Sequence, residues 1–129
     1  MKFLLDVNAL IALGVVNHQF HARALTWAGN RVSSELLTCP ITELGFVRVL
    51  SQASYGYTVV QARDLLLEMK KSSSVPLVFI ADRNGISELP AWVWSPRQVT
   101  DGHLLRLAET NSAILATFDQ GIPGAHLIS

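Results

Sequence analysis

The chain has 129 residues, half of them hydrophobic, with ten basic and ten acidic side chains and a mean hydropathy of +0.32. That length suits one domain over residues 1–129, able to bury roughly two-thirds of its unfolded surface, and the lone Cys39 excludes an internal disulfide and suits a reducing cytoplasm. Zero net charge excludes long-range steering of nucleic acid by the bulk field, so such a partner would need a local basic rim or bound cations.

The first segment, Lys2 to Leu5, is a short apolar strand ending at Asp6, and Ala9 to Val16 reads as the helix after it. Asp6 and Asn8 interrupt this apolar stretch, no small-residue cleavage pattern follows, and it is too short to span a bilayer, so it is expected to be buried rather than a signal peptide or membrane anchor. His18 to Ala28 is predicted helical, with Phe20, Ala24 and Trp27 on one face. Glu35 to Cys39 is a second strand, closed by Pro40. Ile41 to Ser51 is a helix with Leu44, Val47 and Leu50 spaced to face inward. Thr58 with Gln61 forms a capping box for a helix running to about Lys71, whose two terminal lysines complement the helix dipole.

Leu77 to Ala81 is a third strand, closed by the turn Asp82-Arg83-Asn84-Gly85. Trp92 and Trp94 fall in a proline-bounded loop, where they either cover the core edge, pack in a dimer or stack on bases. Thr100 is a candidate N-cap for the helix Asp101 to Thr110, with Leu104, Leu107 and Ala108 inward. Ala113 to Phe118 is a fourth strand ending at Asp119, and His126 to Ile128 is a short fifth. The order of strand, two helices, strand, two helices, strand, helix, strand argues for an α/β domain of three layers. Its sheet would hold four or five strands, mainly parallel, with helices on both faces. Ligands of such sheets bind in the crevice beyond the carboxyl ends of the strands.

The acids mark that crevice. Asp6 and Asp119 end strands, while Glu43 and Asp101 fall in first helical turns, each set among apolar neighbours. Any one of them has an ordinary role, as a turn residue or a complement to a helix dipole. Four on one sheet edge are different: gathered carboxylates resist ionisation unless a cation compensates, and a hard divalent ion with oxygen ligands, Mg²⁺ or Mn²⁺, supplies that charge. Asn8 would bind a metal-held water, orient Asp6 or cap the helix after it. Thr117 would steady the Asp119 carboxylate or a metal-held water, or serve only β propensity. Arg48 would meet a substrate phosphate, pair with a site acid or form a structural ion pair. Asp82 is placed outside the site, in its turn. His18 and His21 read as surface or partly buried side chains rather than zinc ligands, His103 as a surface residue of a first helical turn or a substrate contact, and Cys39 as a small core hydrophobe.

The blocks LLDVNALIAL, CPITELGFVRVLS and VTDGHLLRLAETNSAILATFD, in this order and spacing, resemble PIN-domain nucleases, the VapC-type toxins of bacterial toxin–antitoxin pairs in particular. The likeness covers essentially the whole chain. It implies an endoribonuclease dependent on Mg²⁺ or Mn²⁺, with its acidic quartet on Asp6, Glu43, Asp101 and Asp119 and supporting polar residues on Asn8 and Thr117. It further implies RNA products with a 5′-phosphate and a 3′-hydroxyl, a homodimer, and a cognate VapB-type antitoxin whose tail blocks the site. The alternatives are a PIN-like or flap-type nuclease of RNA processing or DNA metabolism, a phosphoacceptor signalling domain and a non-catalytic interaction module. A phosphoacceptor domain wants a lysine near the last strands, and the only lysines are Lys2, Lys70 and Lys71.

Overall fold

The computed structural model describes every residue except 73. Its elements in chain order are β1 (Lys2–Leu5), α1 (Val7–Gly14), α2 (His21–Gly29), β2 (Glu35–Thr38), α3 (Pro40–Leu50), α4 (Val59–Lys71), β3 (Leu77–Phe79), α5 (Val99–Thr110), β4 (Ile114–Thr117) and β5 (His126–Leu127). Two short 3₁₀ turns, Ile86–Glu88 and Pro96–Gln98, precede α5. The five strands form one sheet in the order β3-β2-β1-β4-β5, and every pairing among the described residues is parallel.

Burial on both faces explains why the strands read as unbroken apolar runs. Phe3, Leu5, Leu36 and Ala116 point into a core covered by α1 to α4, while Leu4, Leu37 and Leu115 point into a second core covered by α5. Three layers result, with most of the helical mass on one side. Cys39 is fully buried in the second core, as a small hydrophobe should be.

Several boundaries differ from the sequence expectation, for local physical reasons. The helix after β1 begins at Val7, because Asp6 rather than Asn8 caps it. His18 to Phe20 lie in turns before α2, so His18 and His21 do not share a helix. The helix before β4 starts at Val99: the 3₁₀ turn Pro96–Gln98 runs straight into it, so Thr100 lies inside the helix and does not cap it.

The inward face of α3 is only partly the expected one: Leu50 is buried and Val47 packs against the core, but Leu44 does not join them. Thr42, Phe46 and Leu50, four apart, are buried, whereas Leu44 is 70% exposed. Gly45 decides this, since a Cβ there would lie 2.5 Å from Val7 Cγ2. The missing side chain lets α3 close on the start of α1, next to the Asp6 cap. The capping box of Thr58 and Gln61 at the head of α4 forms as the sequence predicts.

Candidate functional site

The chain runs from β1 to β2 and β3 on one side, then returns to place β4 on the other flank of β1. This reversal opens a crevice between the carboxyl ends of β1 and β4, the place where parallel α/β sheets bind ligands. Asp6 follows β1 there and Asp119 follows β4.

Asp6 is 7% exposed. One carboxylate oxygen accepts the Ala9 N–H at 2.8 Å, capping α1, and the other accepts the Thr117 hydroxyl at 2.5 Å. Thr117, buried at the end of β4, in turn accepts the backbone N–H of Asp119 at 2.9 Å. Its hydroxyl therefore steadies the Asp6 carboxylate and the Asp119 backbone, not the Asp119 carboxylate. Burial drives the Asp6 carboxyl up to about 6; the hydrogen bonds from Thr117 and Ala9 oppose the rise, and the charges of Asp101 and Asp119 add to it. Asp101, in the first turn of α5, is also held above the ordinary carboxylate range, by burial and by the charge of Asp119. Asp119 is exposed, and its Oδ1 accepts the Gly121 N–H at 2.8 Å.

Glu43 has other partners. In the first turn of α3, its Oε2 accepts the Thr38 hydroxyl at 2.6 Å and lies 2.8 Å from Lys70 Nζ. Thr38 is the last residue of β2, so this carboxylate also stands at the carboxyl edge of the sheet. Lys70, which the sequence assigns only to the helix dipole, reaches it from the last turn of α4 and lies over the Phe79 ring. Three acids thus share a field, and the fourth is matched by a lysine. As the side chains stand, no three of His, Cys, Asp and Glu among the described residues close around a single point. The donor chemistry and mutual repulsion of Asp6, Asp101 and Asp119 nonetheless suit a hard cation.

Arg48 does not join the acids. It is exposed on α3 and forms no ion pair among the described residues; the cation that pairs with a site acid is Lys70. Asp82 has partners of its own, its oxygens meeting the Asn84 N–H at 3.1 Å and His103 Nε2 at 2.5 Å.

Ribonuclease VapC44 of Mycobacterium tuberculosis is 38% identical over 136 residues, covering 97% of this chain and 94% of its own. Ribonuclease VapC38 of the same organism is 38% identical over 92% of this chain and 86% of its own, and ribonuclease VapC39 is 35% identical over 95% and 91%. The chain belongs to the VapC ribonuclease family. No family model matches it. The fold agrees: the crystal structure of VapBC2 from Rickettsia felis, bound to a DNA fragment from their promoter, superposes with a TM-score of 0.63 over 98% of this chain and 97% of that one, at 14% identity.

Around the acids of this VapC relative, two depressions meet at Asp119. One, of about 280 Å³, is lined by Trp92, Ser95, Arg97, Gln98, Asp101 and Asp119, among others. Its wall is held close by Gly102, where a Cβ would lie 2.2 Å from Val93 Cγ2, so the loop bearing Trp92 folds onto the head of α5. Trp94, by contrast, is 88% exposed and is not part of that lining. The other depression, of about 350 Å³, is lined by Asn8, His18, Gln19, Phe20, Phe118 and Asp119. Asn8 is exposed there, free of the capping role. Reading the sequence missed Lys70, Thr38 and the pairing of Phe20 with Phe118. Only the last left a trace, as an aromatic directly before a strand-end aspartate.

Proposed function

We propose that this chain is the toxin component of a type II toxin–antitoxin pair, an endoribonuclease that hydrolyses RNA phosphodiester bonds with the help of Mg²⁺ or Mn²⁺. The observation that carries this reading is the convergence of acids at the crevice between β1 and β4, where Asp6 is buried at the strand end and Asp101 and Asp119 line one depression, on a chain of the VapC family. Carboxylates that raise one another's proton affinity are relieved by a divalent cation.

In this reading Asp6, Asp101 and Asp119 would hold the cation, and Glu43, whose Oε2 faces Lys70, would offer a further carboxylate. A cation held there would acidify water near neutral pH and set positive charge against the phosphoryl oxygens. Thr117 fixes the Asp6 carboxylate and ties it to the Asp119 backbone, so the two acids from adjacent strands keep their spacing. The Ala9 N–H holds the other Asp6 oxygen in the cap, leaving that carboxylate little freedom to turn away. Arg97 and Asn8, one in each depression, supply donors for the RNA on either side of Asp119.

The antitoxin partner is proposed from the family and from the VapBC composition of the superposing complex. Exposed apolar side chains on α3 and α4, Leu44, Val59, Val60 and Leu67, offer surface for an antitoxin or a second copy of the chain. No helix among the described residues is long and apolar enough to cross a membrane. A reducing cytoplasm suits the buried free Cys39.

Incubation of the purified chain with total cellular RNA, with and without Mn²⁺, followed by mapping of new 5′ ends, tests the reading. Discrete cuts that require metal and vanish in Asp119→Asn are expected. Cuts that persist in EDTA, or in both Asp6→Asn and Asp119→Asn, would refute it.

A further inference from the structure

The depression on the Asn8 side of Asp119 has an unusual lining. Phe118 follows β4 between Thr117 and Asp119, and Phe20 ends the turn before α2. Their rings stack at 4.8 Å between centroids and 19° between planes, and both are only half-buried. His18 stands 5.8 Å from the Phe20 ring, its Nδ1 accepting the Phe20 N–H at 3.0 Å, so Nε2 remains the imidazole's other polar atom. The Arg23 guanidinium lies 4.9 Å from the Phe20 centroid. The amides of Asn8 and Gln19 are exposed at the same hollow.

A pair of rings that merely capped the core would need none of this. Both do pack against the core below α1 and α2, yet part of each ring is left beside a carboxylate, with two amides, an imidazole and a guanidinium gathered round them. Aromatic surface with a few convergent polar groups is the composition of a nucleobase pocket. RNA is read by splaying unpaired bases onto aromatic or guanidinium planes and bonding their edges.

We propose that this pocket is a subsite for one unpaired nucleobase of the RNA whose backbone crosses Asp119, with Phe20 and Phe118 as its stacking platform. The proposal rests on the ribonuclease reading and adds the feature that sets where along an unpaired strand the cut falls. Stacking on the rings accepts any base. Selection among bases comes from Asn8, Gln19 and His18, which face the edge of whatever stacks there. The Arg23 guanidinium over Phe20 extends the platform as a further plane for the base.

The test uses the full chain in EDTA, where binding is separated from cleavage. Single-stranded RNA oligonucleotides carry 2-aminopurine at one position at a time, across a cut site mapped separately in Mn²⁺. One position beside the scissile phosphate should show strong fluorescence quenching on binding. Phe20→Leu should remove that quenching and weaken binding about tenfold, whereas Phe20→Tyr should retain both. In Mn²⁺, an abasic nucleotide at the same position should raise KM about tenfold with kcat little changed, and should add nothing in Phe20→Leu.

Quenching that survives in a folded Phe20→Leu, or an abasic penalty that Phe20→Leu does not absorb, would overturn the proposal. The abasic scan on the unaltered chain needs no variant: if no position beside the cut responds, the subsite does not exist. Localised quenching at a cut that persists in both Asp6→Asn and Asp119→Asn would sink the reading of the acidic site and leave the pocket standing. Cleavage with no responsive position would do the reverse. A pocket that responds only to a peptide ligand would overturn the nucleobase assignment.

Discussion

Replacing Asp6 by Asn should stabilise the metal-free protein, and only above mildly acidic pH. The Asp6 carboxyl stands at about 6 in the fold against an ordinary 3.8, so the folded state holds this proton more tightly than the unfolded chain. Below the lower value both states are protonated and the group costs nothing. As pH rises through this window, the unfolded chain releases its proton first and stability falls; above the folded value the full cost, about 3 kcal/mol, is present. Asp101 is raised too and slopes the same way. Asn keeps the Ala9 cap but has no second oxygen for the Thr117 hydroxyl, which returns about 1 kcal/mol. A net gain of about 2 kcal/mol, or about 8 °C in Tm, is therefore expected near pH 7.5 in EDTA. The gain should shrink toward zero near pH 4. Thermal melts of both proteins across that range read it directly. Excess Mn²⁺ should reverse the order by stabilising the wild type alone. A variant less stable at neutral pH, or a difference that does not change with pH, would refute the account of Asp6 as a buried, mutually repelled acid.

Three further outcomes follow from the same contacts. Thr117→Val removes the hydroxyl donated to Asp6 and the acceptor for the Asp119 N–H; it should cost about 2 kcal/mol in denaturant unfolding and lower cleavage by at least about tenfold. Lys70→Met should change stability by no more than about 1 kcal/mol, because the pair with Glu43 is partly exposed. It should also enlarge the Tm rise that Mn²⁺ produces, and an unchanged rise would argue that Glu43 takes no part in holding metal. His103→Ala breaks the contact with Asp82 and should cost about 1 kcal/mol of stability while cleavage stays near wild type; a large loss of activity would bring Asp82 into the site.

The signals written along the chain are local. Apolar runs too short for helices, broken by helical spacing and by caps such as Thr58 with Gln61, are enough to order the strands and helices, because each signal lies within a few residues of the element it defines. The same locality put Asp6 and Asp119 at strand ends, and Glu43 and Asp101 in first turns, from which one sheet edge follows. Strand order is different in kind. Only the folded chain decides that β4 lies beside β1, and this brings the Thr117 hydroxyl to an acid 111 residues away. Only packing decides that Gly45 turns Leu44 outward, that Lys70 rather than Arg48 meets Glu43, and that Phe20 finds Phe118. These pairings join segments far apart in the chain, and no spacing within either partner encodes them. They are settled when helices close on the sheet and the rows of side chains take their register.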